Sequence, residues 1–240
     1  MRRYAVLLLT GVLGLVGLVG TASPAAAQDD TCQSPEEATV EGTTGTDGDD
    51  IIYGTPGPDV IEAGDGNDFV CGLDGDDIIS GGNGNDFLLG GDGDDTISGG
   101  KGDDGILGGD FNQDRGPFAG TDGNDILDGG QGDDFVTGQR GNDSVSGGPG
   151  MDALFGGPGN DSVQGGPGDD FLAGLFGDDT LEGGPGDDVM NGDIFEPFSE
   201  EPLRDELPNT DTCIGGPDED ASFFCENNEN VEADLTPPST

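Results

Sequence analysis

Fifteen aspartates recur at one position of a nine-residue period: Asp50, Asp59, Asp68, Asp77, Asp86, Asp95, Asp104, Asp125, Asp134, Asp143, Asp152, Asp161, Asp170, Asp179 and Asp188. Each closes a six-residue segment whose fourth residue is always Gly, from Gly48 to Gly186. Glycine permits positive φ and close backbone approach, so such a segment can curl its carbonyls inward. The Asp then adds a hard carboxylate oxygen at the turn's exit. Carbonyl and carboxylate oxygens on a flexible loop are the ligand set of Ca2+, which takes about six to eight of them. The chain has no His and four scattered Cys, so Zn2+ and copper lack their preferred donors. Mg2+ keeps its waters and seldom fills an all-protein cage. An EF-hand is excluded, because no twelve-residue loop ends in the required Glu.

The elements that must position these carboxylates are very short strands. In nine-residue steps the units begin at 45, 54, 63, 72, 81, 90 and 99, and after an interruption at 120, 129, 138, 147, 156, 165, 174 and 183. The eighth residue of every unit is aliphatic or Met, from Ile52 to Met190, which makes it the core position. The seventh must then face outward, since side chains alternate along a strand. It is nonetheless often apolar, as at Ile51, Phe69, Phe87, Phe135 and Phe171, and at Val60 and Ile78 on the opposite face. These residues recur every second unit and form apolar ladders wherever such units stack. They serve either as extra burial for a thin core or as a docking or self-association surface. The third residue is often Asp in the first block (Asp47, Asp65, Asp74, Asp92) and Pro in the second (Pro149, Pro158, Pro167, Pro185). Proline restricts the unfolded chain and lowers the cost of making the turn.

Composition narrows the classes further. Of 240 residues 50 are Gly, but at a period of nine rather than the three that collagen requires. The net charge of −46 repels nucleic acid and anionic membranes and attracts multivalent cations. With no His, and a single Lys (Lys101) placed in a turn, the chain is not expected to be an enzyme. Residues 1–27 read as a signal peptide: Arg2 and Arg3 precede an apolar run from Tyr4 to Gly20, and Ala25-Ala26-Ala27 offers a cleavage site. A secreted, extracellular protein with no membrane insertion after cleavage is the expectation. Export implies an oxidising compartment and paired cysteines. Three connectivities can be drawn; Cys32 with Cys71 and Cys213 with Cys225 is the favoured one, with a pair at each end of the array.

The nonapeptide Gly-Gly-x-Gly-x-Asp-x-(apolar)-x, repeated over residues 45–191, resembles the RTX, or hemolysin-type, calcium-binding repeat family. The resemblance implies an all-β fold: a parallel β-roll (a right-handed β-helix or solenoid) with two units per coil and Ca2+ in the turns. It also implies that the sixth-position Asp residues of units two apart share an ion, as in Asp68 with Asp86 or Asp77 with Asp95. Seven plus eight units give about eleven such sites, or about twelve if residues 108–119 count as one unit and Asp104 pairs with Asp125. The ends, with Cys213 and Cys225 and with Cys32 and Cys71, resemble the Cys-paired caps of secreted relatives. The organisation expected is a signal peptide (1–27), N-terminal cap (28–44), first block (45–107), interruption loop (108–119), second block (120–191) and C-terminal cap with acidic tail (192–240). Fifteen buried eighth-position side chains are a thin core for a glycine-rich array of stacked carboxylates. The array is therefore expected to fold on binding Ca2+, in a structural extracellular role or as a Ca2+-dependent adhesion or self-association module on a cell surface.

Overall fold

The computed structural model describes residues 43–109, 123–193, 211–216, 221–223, 225, 227–229 and 233–234. The apolar run at 4–20 and the expected cleavage site lie outside them. Among the described residues there are nineteen short strands and no helix long and apolar enough to cross a membrane. In chain order the first ten are β1 (Ile51–Tyr53), β2 (Val60–Asp65), β3 (Phe69–Asp74), β4 (Ile78–Asn83), β5 (Phe87–Asp92), β6 (Thr96–Lys101), β7 (Gly105–Leu107), β8 (Ile126–Gln131), β9 (Phe135–Thr137) and β10 (Ser144–Ser146). The rest are β11 (Ala153–Pro158), β12 (Ser162–Gln164), β13 (Phe171–Phe176), β14 (Thr180–Glu182), β15 (Val189–Asp193), β16 (Thr212–Ile214), β17 (Ala221–Phe223), β18 (Asn227–Glu229) and β19 (Ala233–Asp234).

Odd and even strands segregate into two parallel sheets, of ten and nine strands. Every strand therefore pairs with the one two places later: Val70 faces Leu88, and Ile79 faces Ile97. This is the parallel β-roll, with one unit per strand and two per coil. On the nine-stranded sheet β10, β12 and β14 stop after three residues, each ahead of Gly-Gly-Pro, where proline has no amide hydrogen to continue the ladder, whereas β2, β4, β6 and β8 run on through a third residue that carries an N–H. The ten-stranded sheet does not follow this rule: β11 runs through Pro158, and β9 stops ahead of Gly138-Gln139-Arg140.

All fifteen eighth-position side chains lie between the sheets, none more than 1% exposed. They form one file of contacts that Cys213 and Cys225 extend at the C-terminal end. Those two are disulfide-bonded, with Cα atoms 6.0 Å apart. Cys71 is buried and disulfide-bonded too; its expected partner, Cys32, lies outside the described residues. Because the core is one side chain deep, Leu88→Ala is expected to cost about 2–5 kcal/mol. Ile78→Ala, at a seventh position 52% exposed, should stay within about 0.5 kcal/mol. Urea unfolding in saturating Ca2+ measures both, and equal shifts in the two variants would remove the distinction between core and surface positions.

The outer faces differ more than the period suggests. On the ten-stranded sheet the ninth position is apolar in most units, and buried Cys71, Leu89 and Leu107 cluster with the partly buried Tyr53, Phe69, Leu73 and Phe87. Phe69 stacks on Phe87, ring centroids 5.8 Å apart. Phe135 and Phe171 are two coils apart and do not stack directly. Phe155, a ninth-position residue, bridges them at 5.4 and 5.8 Å.

Both sheets run unbroken past the interruption, β6 pairing with β8 and β7 with β9. The turn that ends in Asp125 takes its first glycine from Gly108. The N–H of Gly91 donates to the Gly108 carbonyl at 2.9 Å, and a Cβ on Gly108 would meet the Asp125 carboxylate. Gly108 and Gly123 both belong to this turn, Gly123 lying against Gly93 one coil earlier. Asp104 accordingly does not stack on Asp125: Asp95 does, and Asp104 stacks on Asp134.

Candidate metal centre

The sixth-position aspartates form two columns, one at each edge of the roll. One holds Asp50, Asp68, Asp86, Asp104, Asp134, Asp152, Asp170 and Asp188; the other holds Asp59, Asp77, Asp95, Asp125, Asp143, Asp161 and Asp179. All are buried except Asp59, which is half-buried at the open end. A further member of the second column, Asp211, is 0% exposed and stands outside the fifteen. Its stretch, Asp211-Thr212-Cys213-Ile214-Gly215-Gly216-Pro217, is a degenerate echo of the repeat that keeps its residue order but falls out of phase, 32 residues after Asp179.

One geometry repeats along each column. The Oδ1 of each Asp accepts the backbone N–H of the Asp one coil earlier, as from Asp68 to Asp86 and from Asp77 to Asp95, both at 2.8 Å. The same bond spans the interruption at 2.9 Å from Asp95 to Asp125 and 2.7 Å from Asp104 to Asp134. Each Asp carbonyl accepts the N–H that opens the next strand of its sheet, as from Phe87 to Asp68 at 2.8 Å. A fixed Asp is thus required at every level, because its side chain is the rung that joins consecutive turns.

The other oxygen is different. The Oδ2 atoms of Asp68, Asp77, Asp86, Asp95, Asp104, Asp134, Asp152, Asp161 and Asp170 are buried and have no hydrogen-bond partner. Each is aimed at the first residue of its own turn. A Cβ added at Gly72 would meet the Oδ2 of Asp77 and the carbonyl of Gly90, one coil on; at Gly81 it would meet the Oδ2 of Asp86 and the carbonyl of Gly99. One turn departs from this, since Ala63 places a buried methyl at the first position of the turn that ends in Asp68.

A buried carboxylate oxygen with no donor costs free energy in any fold. Desolvation accordingly pushes Asp77, Asp86, Asp134 and Asp170 up to about 6, Asp95, Asp152 and Asp161 to about 7, and Asp104 to about 8. Asp68 moves in the same direction. The N–H bond from the neighbouring coil pulls each back down, and nearby carboxylates add to the rise. Each site thus wants a positive charge at Oδ2, as a proton or as a metal.

The donor set fits a hard cation: carboxylate and carbonyl oxygens, with no imidazole or thiolate among them. Among the described residues no three His, Cys, Asp or Glu side chains converge on one point. The remaining ligands of any ion would therefore be backbone carbonyls. A second ladder was missed in the sequence. Fifth-position Asp and Asn side chains, exposed outside the turns, accept the N–H one coil later, as from Asn85 to Asn67 at 2.8 Å and from Asn124 to Asp94 at 2.7 Å. Only Pro58 and Met151 break that column of Asp and Asn, a regularity the sixth-position pattern overshadows.

Comparison with known proteins returns one family, described as the RTX calcium-binding nonapeptide repeat (4 copies), matched at residues 44–79, 80–112, 119–154, 146–181 and 164–195. No curated protein matches the chain.

Proposed function

Since the chain belongs to the RTX calcium-binding nonapeptide repeat family, we propose that it is a secreted calcium-binding protein whose roll folds as multiple Ca2+ ions enter its turns. The observation that carries this reading is the file of buried, partnerless Oδ2 atoms, of which those of Asp77, Asp86, Asp95, Asp104, Asp134 and Asp170 lie beside a carbonyl of the next coil. The sixth-position aspartates serve as ligands through Oδ2, since Oδ1 is spent on the neighbouring turn. Calcium offsets part of the chain's net charge of −46 and supplies what the thin core of the array lacks. A site occupied at 100 times its Kd adds about 2.7 kcal/mol, and extracellular modules have Kd values of about 10⁻⁴–10⁻³ M.

Titrating the chelated chain with Ca2+, followed by calorimetry and circular dichroism, tests it. Strand signal should rise cooperatively over the millimolar range, with heat released by several ions. Full strand content in excess chelator at pH 8 would refute folding on binding, and the absence of heat would refute calcium binding itself.

A second reading, Ca2+-dependent adhesion or self-association, is favoured by one feature. The seventh- and ninth-position residues of β9, β11, β13 and β15, Phe135, Phe155 and Phe171 among them, carry no charge. Phe171 is 39% and the nearby Phe176 45% exposed. Sedimentation with and without Ca2+ separates the readings, because an interface on this face gives oligomers only with the ion.

A further inference from the structure

We infer that the first turn of each column, at residues 45–50 and 54–59, takes no cation, and that Thr46 and Thr55 supply the positive end of a dipole where later turns take an ion. This rests on the calcium reading above and limits it: two of the fifteen aspartates expected as ligands, Asp50 and Asp59, are not ligands.

Three observations converge. The Oδ2 of Asp50 accepts the Thr46 N–H at 2.6 Å and the Thr46 hydroxyl at 2.9 Å. The Oδ2 of Asp59 accepts the same two donors from Thr55, at 2.5 and 3.0 Å. The corresponding oxygen has no partner in the nine later turns named above. A carboxylate oxygen offers about two lone pairs, so here both are engaged, and a cation would meet hydrogens instead of an open oxygen.

The backbone is switched at the same residues. The second residue of later turns has positive φ, between 115 and 120° at Gly64, Gly82, Gly91 and Gly100, and 71 to 85° even at Leu73, Gln139 and Leu175. Thr46 and Thr55 are not in that region. Where the turn is left-handed, the second N–H reaches the first-position carbonyl one coil on, as from Gly91 to Gly108 and from Gly148 to Gly165. At Thr46 and Thr55 the N–H instead turns back onto the Asp of its own turn.

Position in the stack gives this a use. These are the first turns of the two columns, so no earlier repeat unit lies beyond them. Closing them with covalently attached donors lets the first coil form at calcium levels that leave later turns empty, and presents a finished edge for the next coil.

The test is the calcium content of the full chain, by equilibrium dialysis and atomic absorption at saturating Ca2+. Thr46→Gly with Thr55→Gly restores the usual second residue and should raise the count by two ions per chain. An unchanged or lower count with strand content intact overturns the inference. Should the double variant lose its strands, single substitutions decide instead: Asp50→Asn and Asp59→Asn should each leave the count unchanged, while Asp86→Asn lowers it. Loss of an ion from Asp50→Asn or Asp59→Asn overturns the inference. A wild-type chain that takes up no calcium would refute the calcium reading itself, a different failure from this one.

Discussion

In excess chelator at pH 8 the chain should show little strand signal, and acidification to pH 5 should restore a substantial part of it. The sign follows from the buried columns. Their carboxyls have folded-state values of about 6 to 8 against an ordinary 3.8, so between about pH 4 and pH 8 the folded chain holds more protons than the unfolded one. Stability from these groups is therefore fully present below the ordinary carboxylate value and is lost as pH rises through 6 to 8. Ordinary surface carboxylates titrate near pH 4, so a change confined to pH 5–8 reports the columns. With Ca2+ the slope reverses, because protons and calcium compete for the same oxygen. The calcium needed for half-folding should rise as pH falls, by up to about tenfold per unit for each site below its proton affinity. Circular dichroism across pH 5–8, with and without Ca2+, measures both limbs. Equal strand content at the two ends in chelator, or a calcium midpoint indifferent to pH, would show that Oδ2 is not where the charge is balanced.

The second large effect separates two glycines three residues apart. Gly84 has φ of +132°, and a Cβ there would collide with the Gly66 carbonyl, part of the coil below. Neither atom can yield without parting the coils, so Gly84→Ala combines about 1–3 kcal/mol of backbone strain with lost stacking. Gly81 lacks a left-handed φ; its Cβ would meet the Asp86 Oδ2, a side-chain atom able to move aside, and the Gly99 carbonyl at 2.7 Å, a milder clash than the closer one at Gly84. Ala63 shows that the fold accepts a methyl at this position. Gly81→Ala should therefore keep its strands in saturating Ca2+ and bind one ion fewer, whereas Gly84→Ala should lose strand signal or require far more calcium to gain it. Atomic absorption and circular dichroism on the same samples distinguish them. An unchanged ion count in Gly81→Ala would place the cation elsewhere in the turn.

The core file and the turn acids were legible because each rests on one position held constant along the chain, and the all-β roll with two units per coil followed from the family resemblance that those positions carry. An aliphatic eighth residue can only be a core file, and a sixth-position Asp between glycines can only be a turn acid. The ends and exceptions were harder. Asp211 kept the residue order of the repeat but fell out of its nine-residue phase. Leu89 and Leu107 sit at a ninth position that is polar throughout β2 to β14 of the other sheet, so no single rule covered both faces. Phe155 joins Phe135 to Phe171 through a diagonal that exists only once three strands lie side by side.

The sequence by itself determined the period, the family and the residue types of the candidate site, since all three are local and repeated. Tertiary structure alone decided which carboxylate oxygen is left over. Oδ1 is claimed by an N–H 18 residues away, or 30 across the interruption, and that claim depends on stacking register. The same register set Asp95 over Asp125, took the first glycine of that turn from Gly108, and exposed the difference between Thr46 and the glycines that follow it. Hydrogen bonds in a solenoid join residues adjacent in space but distant in the chain. A nine-residue pattern can state that such bonds exist, and only the stacked coils show where each of them ends.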